Sequence, residues 1–340
     1  MKLPTITRKV ASVLAIVSAA FATTFSTSSA LADSSGSTQY PLVMVHGLSG
    51  FDTLAIVNMD YWYGIRSALN NIGASQVFEP QISGWESNEV RGEELLAHIQ
   101  DILAATGASK VNLIGHSQGG TTARYVAGVR PDLVASVTSV GSPHFGSNVA
   151  DIIEDSPVEG VAVTLGNALG TLLAALSGDP GQQPNALASI ATLSTAGAAS
   201  FNADYPAGLR TGSCRNAPWR NVGRWWWPRW VRDYSVNDGA HQVNGVKYYS
   251  WGSSYVALTN SNPLDLFDAV LGITNVLHNG AANDGLVARC STHMGDVIRD
   301  DYTMNHVDQM NGLFALRGLF TSAPIPTYTA HARRLKSAGL

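Results

Sequence analysis

The five residues Gly115-His116-Ser117-Gln118-Gly119 constrain this chain more than any other feature in it. Val111-Asn112-Leu113-Ile114 stands directly before them and reads as a strand. Gly119 to Val129 follows and reads as a helix, stopped before Pro131. A Gly-x-Ser-x-Gly turn between strand and helix is sharp and crowded, so the neighbours of the serine cannot carry bulky side chains. The turn lifts the Ser117 hydroxyl above the end of a sheet. The N-terminus of the following helix adds free N–H groups and a positive dipole end there. The motif is therefore both a fold signal and a candidate nucleophile.

The rest of the first half agrees with that fold. Tyr40 to Val45 is an apolar, β-branched run ended by His46-Gly47, and it reads as a buried strand. Gly64 to Ile72 reads as a helix closed by Gly73, and Gln76-Val77-Phe78 as a short strand. Glu89 to Thr106 is a helix with Leu95, Ile99, Ile102 and Leu103 on one face and Gly107 as its cap; Leu133 to Val140 is a further strand. Strands alternating with helices predict an α/β architecture, a mainly parallel sheet flanked by helices. Val158 to Ser177 is rich in Ala, Leu, Val and Gly. Its helical spacing fits either a core helix or a mobile amphipathic lid.

The first 32 residues fall outside this fold. Lys2, Arg8 and Lys9 make a positive head, Val10 to Phe21 is apolar or small, and Ala30-Leu31-Ala32 is a small-x-small cleavage site. That is the pattern of a secretory signal peptide cut before Asp33; a membrane anchor would need a run of roughly 20 apolar residues. Residues 33–340 are read as one domain, with no polar linker and no repeat. The net charge of −4 carries no basic field suited to nucleic acid. Two cysteines, Cys214 and Cys290, suggest a disulfide in an exported chain, with two free buried thiols as the alternative. A bridge across 76 residues would contribute about 4 kcal/mol in the chain-entropy account. Between them lies an unusual stretch, about 215–240. It holds Trp219, Trp225, Trp226, Trp227 and Trp230, interleaved with Arg215, Arg220, Arg224, Arg229 and Arg232. Both residue types favour polar–apolar boundaries, so docking on a lipid surface or a polymer is one reading. An ordered loop with Arg–Trp stacking is the other.

A serine nucleophile needs a histidine to take its proton and a carboxylate to hold that histidine. In strand–turn–helix elbows of this kind the order is Ser, then acid, then His, which removes His46, His98 and His116. His144 follows too closely to leave room for an acid. Among His241, His278, His293, His306 and His331, His306 is favoured by its polar turn, Tyr302 to His306, ahead of an apolar helical stretch near Met310. His331, in a basic C-terminal helix, is expected to be solvated. Asp284, in Asn283-Asp284-Gly285, follows the apolar run Ile273 to Leu277; a strand and then a turn would place a triad acid there. An ordinary exposed turn aspartate is the alternative. An oxyanion would be held by two backbone N–H groups, those of Gln118 and of Leu48 in the loop after the first strand.

Taken together, His46-Gly47-Leu48, Asp60-Tyr61-Trp62, Glu89-Val90-Arg91-Gly92-Glu93, Gly115 to Gly120, Gly141-Ser142-Pro143-His144, Asn283 to Val287 and Asn305-His306-Val307-Asp308 resemble the secreted triacylglycerol lipases of the Pseudomonas and Burkholderia type. The resemblance runs from about Tyr40 to Leu340. It implies an α/β-hydrolase fold with a helical lid in about 150–180, near Val158 to Ser177, and activity on acylglycerols at a lipid–water interface. It implies Ser117, Asp284 and His306 as the triad and a disulfide at the positions of Cys214 and Cys290. It also implies a structural Ca²⁺ held by Asp265, Asp308 and the carbonyls of Gly312 and Leu316, with Asp268 as a rival to Asp265. All-oxygen ligation suits that hard cation. Export through the periplasm as a monomer, with a membrane-anchored foldase as folding partner, is implied as well. The stretch between Cys214 and Val243 has no counterpart in the pattern.

Overall fold

Leu42 and Met44 belong to one buried apolar cluster, and Val43 and Val45 to another. That period-two division is what a strand covered on both faces requires. The structure, a computed structural model, describes residues 33–48, 50, 53–54, 59–74, 76–155, 186–236 and 238–340. Asp33–Leu340 forms one unit. The expected signal peptide and the expected lid over 158–177 lie outside the described residues.

In chain order the elements are β1 (Leu42–Val45), β2 (Thr53–Leu54), β3 (Met59–Asp60), α1 (Ile65–Asn71), β4 (Val77–Phe78), α2 (Asn88–Thr106), β5 (Val111–His116), α3 (Gln118–Val129), β6 (Val134–Val140) and α4 (Asn148–Asp155). Then come α5 (Ala186–Leu193), α6 (Thr195–Asp204), β7 (Trp219–Asn221), β8 (Trp230–Arg232), β9 (Gln242–Val243) and β10 (Val246–Ser253). They are followed by α7 (Ala257–Asn260), α8 (Leu266–Asn275), β11 (Asp296–Tyr302), α9 (Gly312–Ala315) and α10 (Ile325–Ser337). The main sheet runs β11-β10-β6-β5-β1-β4, all parallel, with β9 antiparallel on β10. Leu95 and Ile99 of α2 and Val126 of α3 fill the cluster on one face; Ile65 and Leu69 of α1 and Tyr328 and Leu335 of α10 fill the other.

This order decides where a site can form. From β1 the chain moves outward to β4, then returns to lay β5 on the opposite side of β1. Loops leaving the C-terminal ends of β1 and β5 therefore diverge and open a crevice at the switch point. Register sets Val45 beside Gly115, so His46-Gly47-Leu48 and the Ser117 turn leave the sheet side by side.

Local signals account for the helix ends. Ser87 Oγ accepts from Val90 N at the start of α2, and Gly107, at φ 70°, closes it. Three expectations need correcting. The run Ile273 to Leu277 is not a strand: it ends α8 and enters a 3₁₀ turn, Val276–His278. Phe267 and Leu271 are buried four apart, which is helical spacing, and Asp265 caps the helix by accepting from Phe267 N. The stretch near Met310 is a 3₁₀ turn, Asp308–Met310, followed by the single turn of α9; left-handed backbone at Asn311, Phe314 and Ala315 prevents a longer helix. His331 is buried rather than solvated. It shares one face of α10 with Tyr328, Ala332 and Leu335, and its Nε2 lies 2.7 Å from Thr138 Oγ1. Arg334, one turn on, brings its Nη1 within 3.1 Å of His331 Nδ1.

Candidate active site

Ser117 sits between β5 and α3 with φ 55° and ψ −128°. Such a conformation costs a non-glycine residue about 1–3 kcal/mol and survives only where its surroundings over-determine it. They do: Ser117 N donates to Val140 O at 2.9 Å, and a Cβ on Gly115 would overlap the Gly119 carbonyl. A Cβ on Gly119 would in turn overlap the Val45 carbonyl. Both glycines of the motif are steric necessities. Gly47 is a third, since a Cβ there would stand 2.8 Å from Ser117 Cβ.

Asp284 and His306 come from loops at the same end of the sheet, His306 four residues beyond β11. His306 Nδ1 lies 2.8 Å from Asp284 Oδ2, and His306 N donates to Asp284 O, also at 2.8 Å. Gln309 Nε2 donates to Asp284 Oδ2, while Leu286 N and Val287 N donate to Oδ1. Burial alone would raise this carboxyl. The His306 charge and the hydrogen bonds from His306, Val287 and Leu286 outweigh it and hold the pKa below the usual carboxylate range. His306 and Ser117 line one cleft of about 100 Å³ that opens to solvent. Leu48, Ile153, Ile190, Leu193, Leu286 and Met310 make its walls apolar. α4 and α5, which supply Ile153, Ile190 and Leu193, flank the segment expected to form the lid.

Of the other histidines, His293 also faces a carboxylate, Asp300 Oδ2 at 3.1 Å, but Arg289 shares that carboxylate and His293 does not line the cleft. His144 is buried against Ser139 Oγ at 2.7 Å. His46 is buried; its Nδ1–H donates to Gly47 O and its Nε2 accepts from Ile82 N. Burial, with Arg91 nearby, pushes it down to about 3, so it is a neutral structural residue.

A second group of side chains escaped sequence reasoning. His116 Nε2 lies 2.9 Å from the His306 carbonyl, which only accepts, so Nε2 carries the proton. His116 Nδ1 is then the acceptor for the Tyr61 hydroxyl at 2.6 Å, and that hydroxyl accepts from Gly47 N at 3.0 Å. Burial lowers His116 to about 3, in keeping with this neutral tautomer. The resulting chain ties the loop of Leu48, the elbow and the His306 turn together. Arg91 reinforces the same loop: Nη2 donates to His46 O at 2.6 Å and Nη1 to Ser83 O. The only sequence sign of these roles was the presence of Tyr61 and Arg91 in short motifs. Gln118 N opens α3, where a first-turn N–H has no intrahelical acceptor, and Leu48 lines the cleft; both stand beside Ser117.

The expected metal ligands lie behind His306. Asp265 and Asp308 are buried, as is Asp268. Asp268 is fully engaged: Tyr255 Oη and Asn305 Nδ2 donate to Oδ1, and Asn262 N to Oδ2. Among the described residues, Asp265 Oδ1 accepts from Phe267 N and Asp308 Oδ2 from Asn305 N. Burial, with the charges of Asp268 and Asp265, raises Asp308 to about 8; burial raises Asp265 to about 6. Buried, under-compensated carboxylates fit a cation. No cluster of three or more His, Cys, Asp or Glu suited to a metal occurs among the described residues, so a set of two carboxylates would need backbone oxygens. Gly312 opens α9 and Leu316 follows it. Cys214 and Cys290 form a disulfide with Cα atoms 5.7 Å apart.

A doubly wound parallel sheet, a strained serine elbow and an acid–histidine pair at its switch point define an α/β hydrolase. Residues 40–162 match the α/β hydrolase fold family. A triacylglycerol lipase of Vibrio cholerae serotype O1 is 49% identical over 308 residues, covering 89% of each chain. One from Pseudomonas fragi is 41% identical over 318 residues, covering 91% of this chain and all of that one. The chain belongs to the triacylglycerol lipase family of bacteria. The crystal structure of Staphylococcus hyicus lipase shares the fold, with a TM-score of 0.55 over 88% of this chain and 96% of that one at 17% identity.

Proposed function

We propose that this chain is a secreted triacylglycerol lipase that cleaves acylglycerol esters through an acyl-enzyme on Ser117. The observation that carries the reading is the 2.8 Å Asp284–His306 pair, whose histidine lines an apolar cleft together with Ser117. His306 Nε2 takes the Ser117 proton as Oγ attacks the ester carbonyl, then returns it to the leaving alcohol. Asp284 holds Nδ1–H and stabilises the imidazolium. The N–H groups of Leu48 and Gln118 hold the oxyanion. Water then attacks the acyl-enzyme by the same route. The apolar walls take the acyl chain.

Ca²⁺ would be held by Asp265 and Asp308 with the carbonyls of Gly312 and Leu316. When bound, it supplies charge that neutralises two buried carboxylates and holds the turn carrying His306. Export is supported by the disulfide, which needs an oxidising compartment, and by the leader pattern of residues 1–32. Assistance by a foldase and a monomeric state belong to the same reading.

The test compares hydrolysis of a long-chain triacylglycerol emulsion with that of a soluble short-chain ester, with Ser117→Ala as blank. Emulsion hydrolysis that falls by at least about 10⁴-fold in the variant is expected. Activity on the soluble ester alone would remove the lipase assignment and leave a carboxylesterase.

A further inference from the structure

The Trp/Arg-rich stretch folds as a hairpin that its own domain does not bury. Strands β7 and β8 pair antiparallel, with Trp219 opposite Arg232 and Asn221 opposite Trp230. Asn221 Oδ1 accepts from Gly223 N and Arg229 N, and Trp227 N donates to Arg224 O at 3.0 Å, so the tip is a tight, hydrogen-bonded turn. Trp225, Trp226 and Trp227 on that turn are 84, 59 and 79% exposed, and Trp219 and Trp230 on the strands are 58 and 60% exposed. None joins a core cluster. An ordered turn that presents large apolar rings to water forgoes the burial that usually stabilises them, which marks an interaction surface.

The charges identify what it meets. From Arg215 to Arg232 there are five arginines and no acid, in a chain whose net charge is −4. Arg220 pairs with Asp233 at 3.2 Å and Arg229 with Asp301 at 3.1 Å. Arg224 instead stacks over the Trp226 ring and Arg232 over that of Trp219; among the described residues neither has a carboxylate partner, and nor does Arg215. Indole rings settle at the headgroup level of a lipid surface, and guanidinium groups pair with phosphate or carboxylate there. A neutral polyester would use the rings and leave the guanidiniums unmatched. The mount is firm. The Cys214–Cys290 bridge closes the base of the hairpin, where Cys214, Ala217 and Tyr234 form a buried cluster. Arg229 is tied to Asp301 near the C-terminal end of β11, the end that leads to His306.

We propose that the Trp219–Arg232 hairpin is an interfacial anchor that seats the protein on a lipid–water surface bearing anionic headgroups. The proposal rests on the lipase reading for its purpose, not for its test. The protein would be mixed with vesicles of non-hydrolysable, ether-linked phosphatidylcholine, with and without ether-linked phosphatidylglycerol. Sedimentation and the tryptophan emission maximum would be followed. Binding with a blue shift, stronger on the anionic vesicles, is expected. W225S/W226S/W227S should lower partitioning about tenfold. R215Q/R224Q should remove the preference for anionic vesicles, and both variants should keep the wild-type rate on a soluble ester. Wild-type protein that ignores the vesicles, or a triple-tryptophan variant that binds like wild type, would overturn the proposal. Adsorption to a polyester film without vesicle binding would overturn it in favour of a polymer. Vesicle binding needs no turnover, so failure of the lipase reading would appear in the emulsion assay and leave this readout intact.

Discussion

The Tyr61 hydroxyl stands between two segments that the proposed chemistry needs in register. It accepts from Gly47 N beside Leu48 and donates to His116, which holds the His306 carbonyl. Tyr61→Phe would leave a buried N–H and a buried imidazole nitrogen short of a partner, at about 1–3 kcal/mol each. Steady-state kinetics on a soluble ester should show kcat falling roughly tenfold with KM little changed, the equivalent of about 1.4 kcal/mol in the transition state. Unchanged kcat would show that this chain of hydrogen bonds does not position the reacting groups. At this scale the reach of the sequence was uneven. Gly115 is legible because its reason is local, the Gly119 carbonyl four residues on, whereas Gly119 would strike the Val45 carbonyl of the neighbouring strand and is legible only through the motif. Gln309, a donor to Asp284 from 25 positions away, left no local trace.

Among elements, the turn bearing His306 lies between β11 and a 3₁₀ turn and is held mainly by side chains. Asn305 and Asp308 brace it reciprocally: Asp308 N donates to Asn305 Oδ1, and Asp308 Oδ2 accepts from Asn305 N. Asn305 Nδ2 ties it to Asp268 of α8. A cation shared by Asp265 and Asp308 would join the same two elements. Chelation by EGTA should therefore lower Tm. With calcium at roughly 100 times its Kd, the loss is about 2.7 kcal/mol, on the order of 4 °C for a chain of this size. Asp308→Asn should make Tm nearly indifferent to EGTA. Calorimetry showing the same Tm for the wild-type protein with and without chelator would remove calcium from the account. Element type was legible wherever periodicity ran long, as in α2. It failed for Ile273 to Leu277, where a short apolar run at the end of a helix has the composition of a strand, and Ile273 and Val276 face water.

For the whole molecule, buried neutral histidines tie stability to pH. His46, His116 and His331 are each driven to about 3, burial being the main cause, against 6.5 in an unfolded chain. Between those values the unfolded chain binds more protons. Their contribution is thus complete above pH 6.5 and is lost as pH falls toward 3, by up to about 4 kcal/mol per pH unit for the three together. The depressed Asp284 acts in the same direction. The raised carboxyls of Asp238, Asp265 and Asp308 act in the opposite direction, the latter two unless a cation holds them ionised. In saturating calcium, which would keep Asp265 and Asp308 ionised, melting curves should show Tm dropping as pH is lowered from 7 to 4, and His331→Gln should flatten that slope; equal slopes would refute the linkage. His331 also marks the limit of reading a sequence. Its neighbours in α10 are basic, and only the packing of that helix on the sheet turns its ring toward Thr138. The sequence by itself determined the order of strands and helices as far as β6, the elbow and its glycines, and, through motifs, the positions of Ser117, Asp284, His306 and both cysteines, because each is written in local spacing or in a motif. Tertiary structure alone decided that β5 lies beside β1, that Tyr61 and His116 join the two loops, that Asp268 is already engaged, and that the Trp225–Trp227 tip stays in water. Those outcomes depend on which surfaces meet once the sheet closes, and burial and hydrogen-bond pairing at that stage link residues that share no sequence neighbourhood.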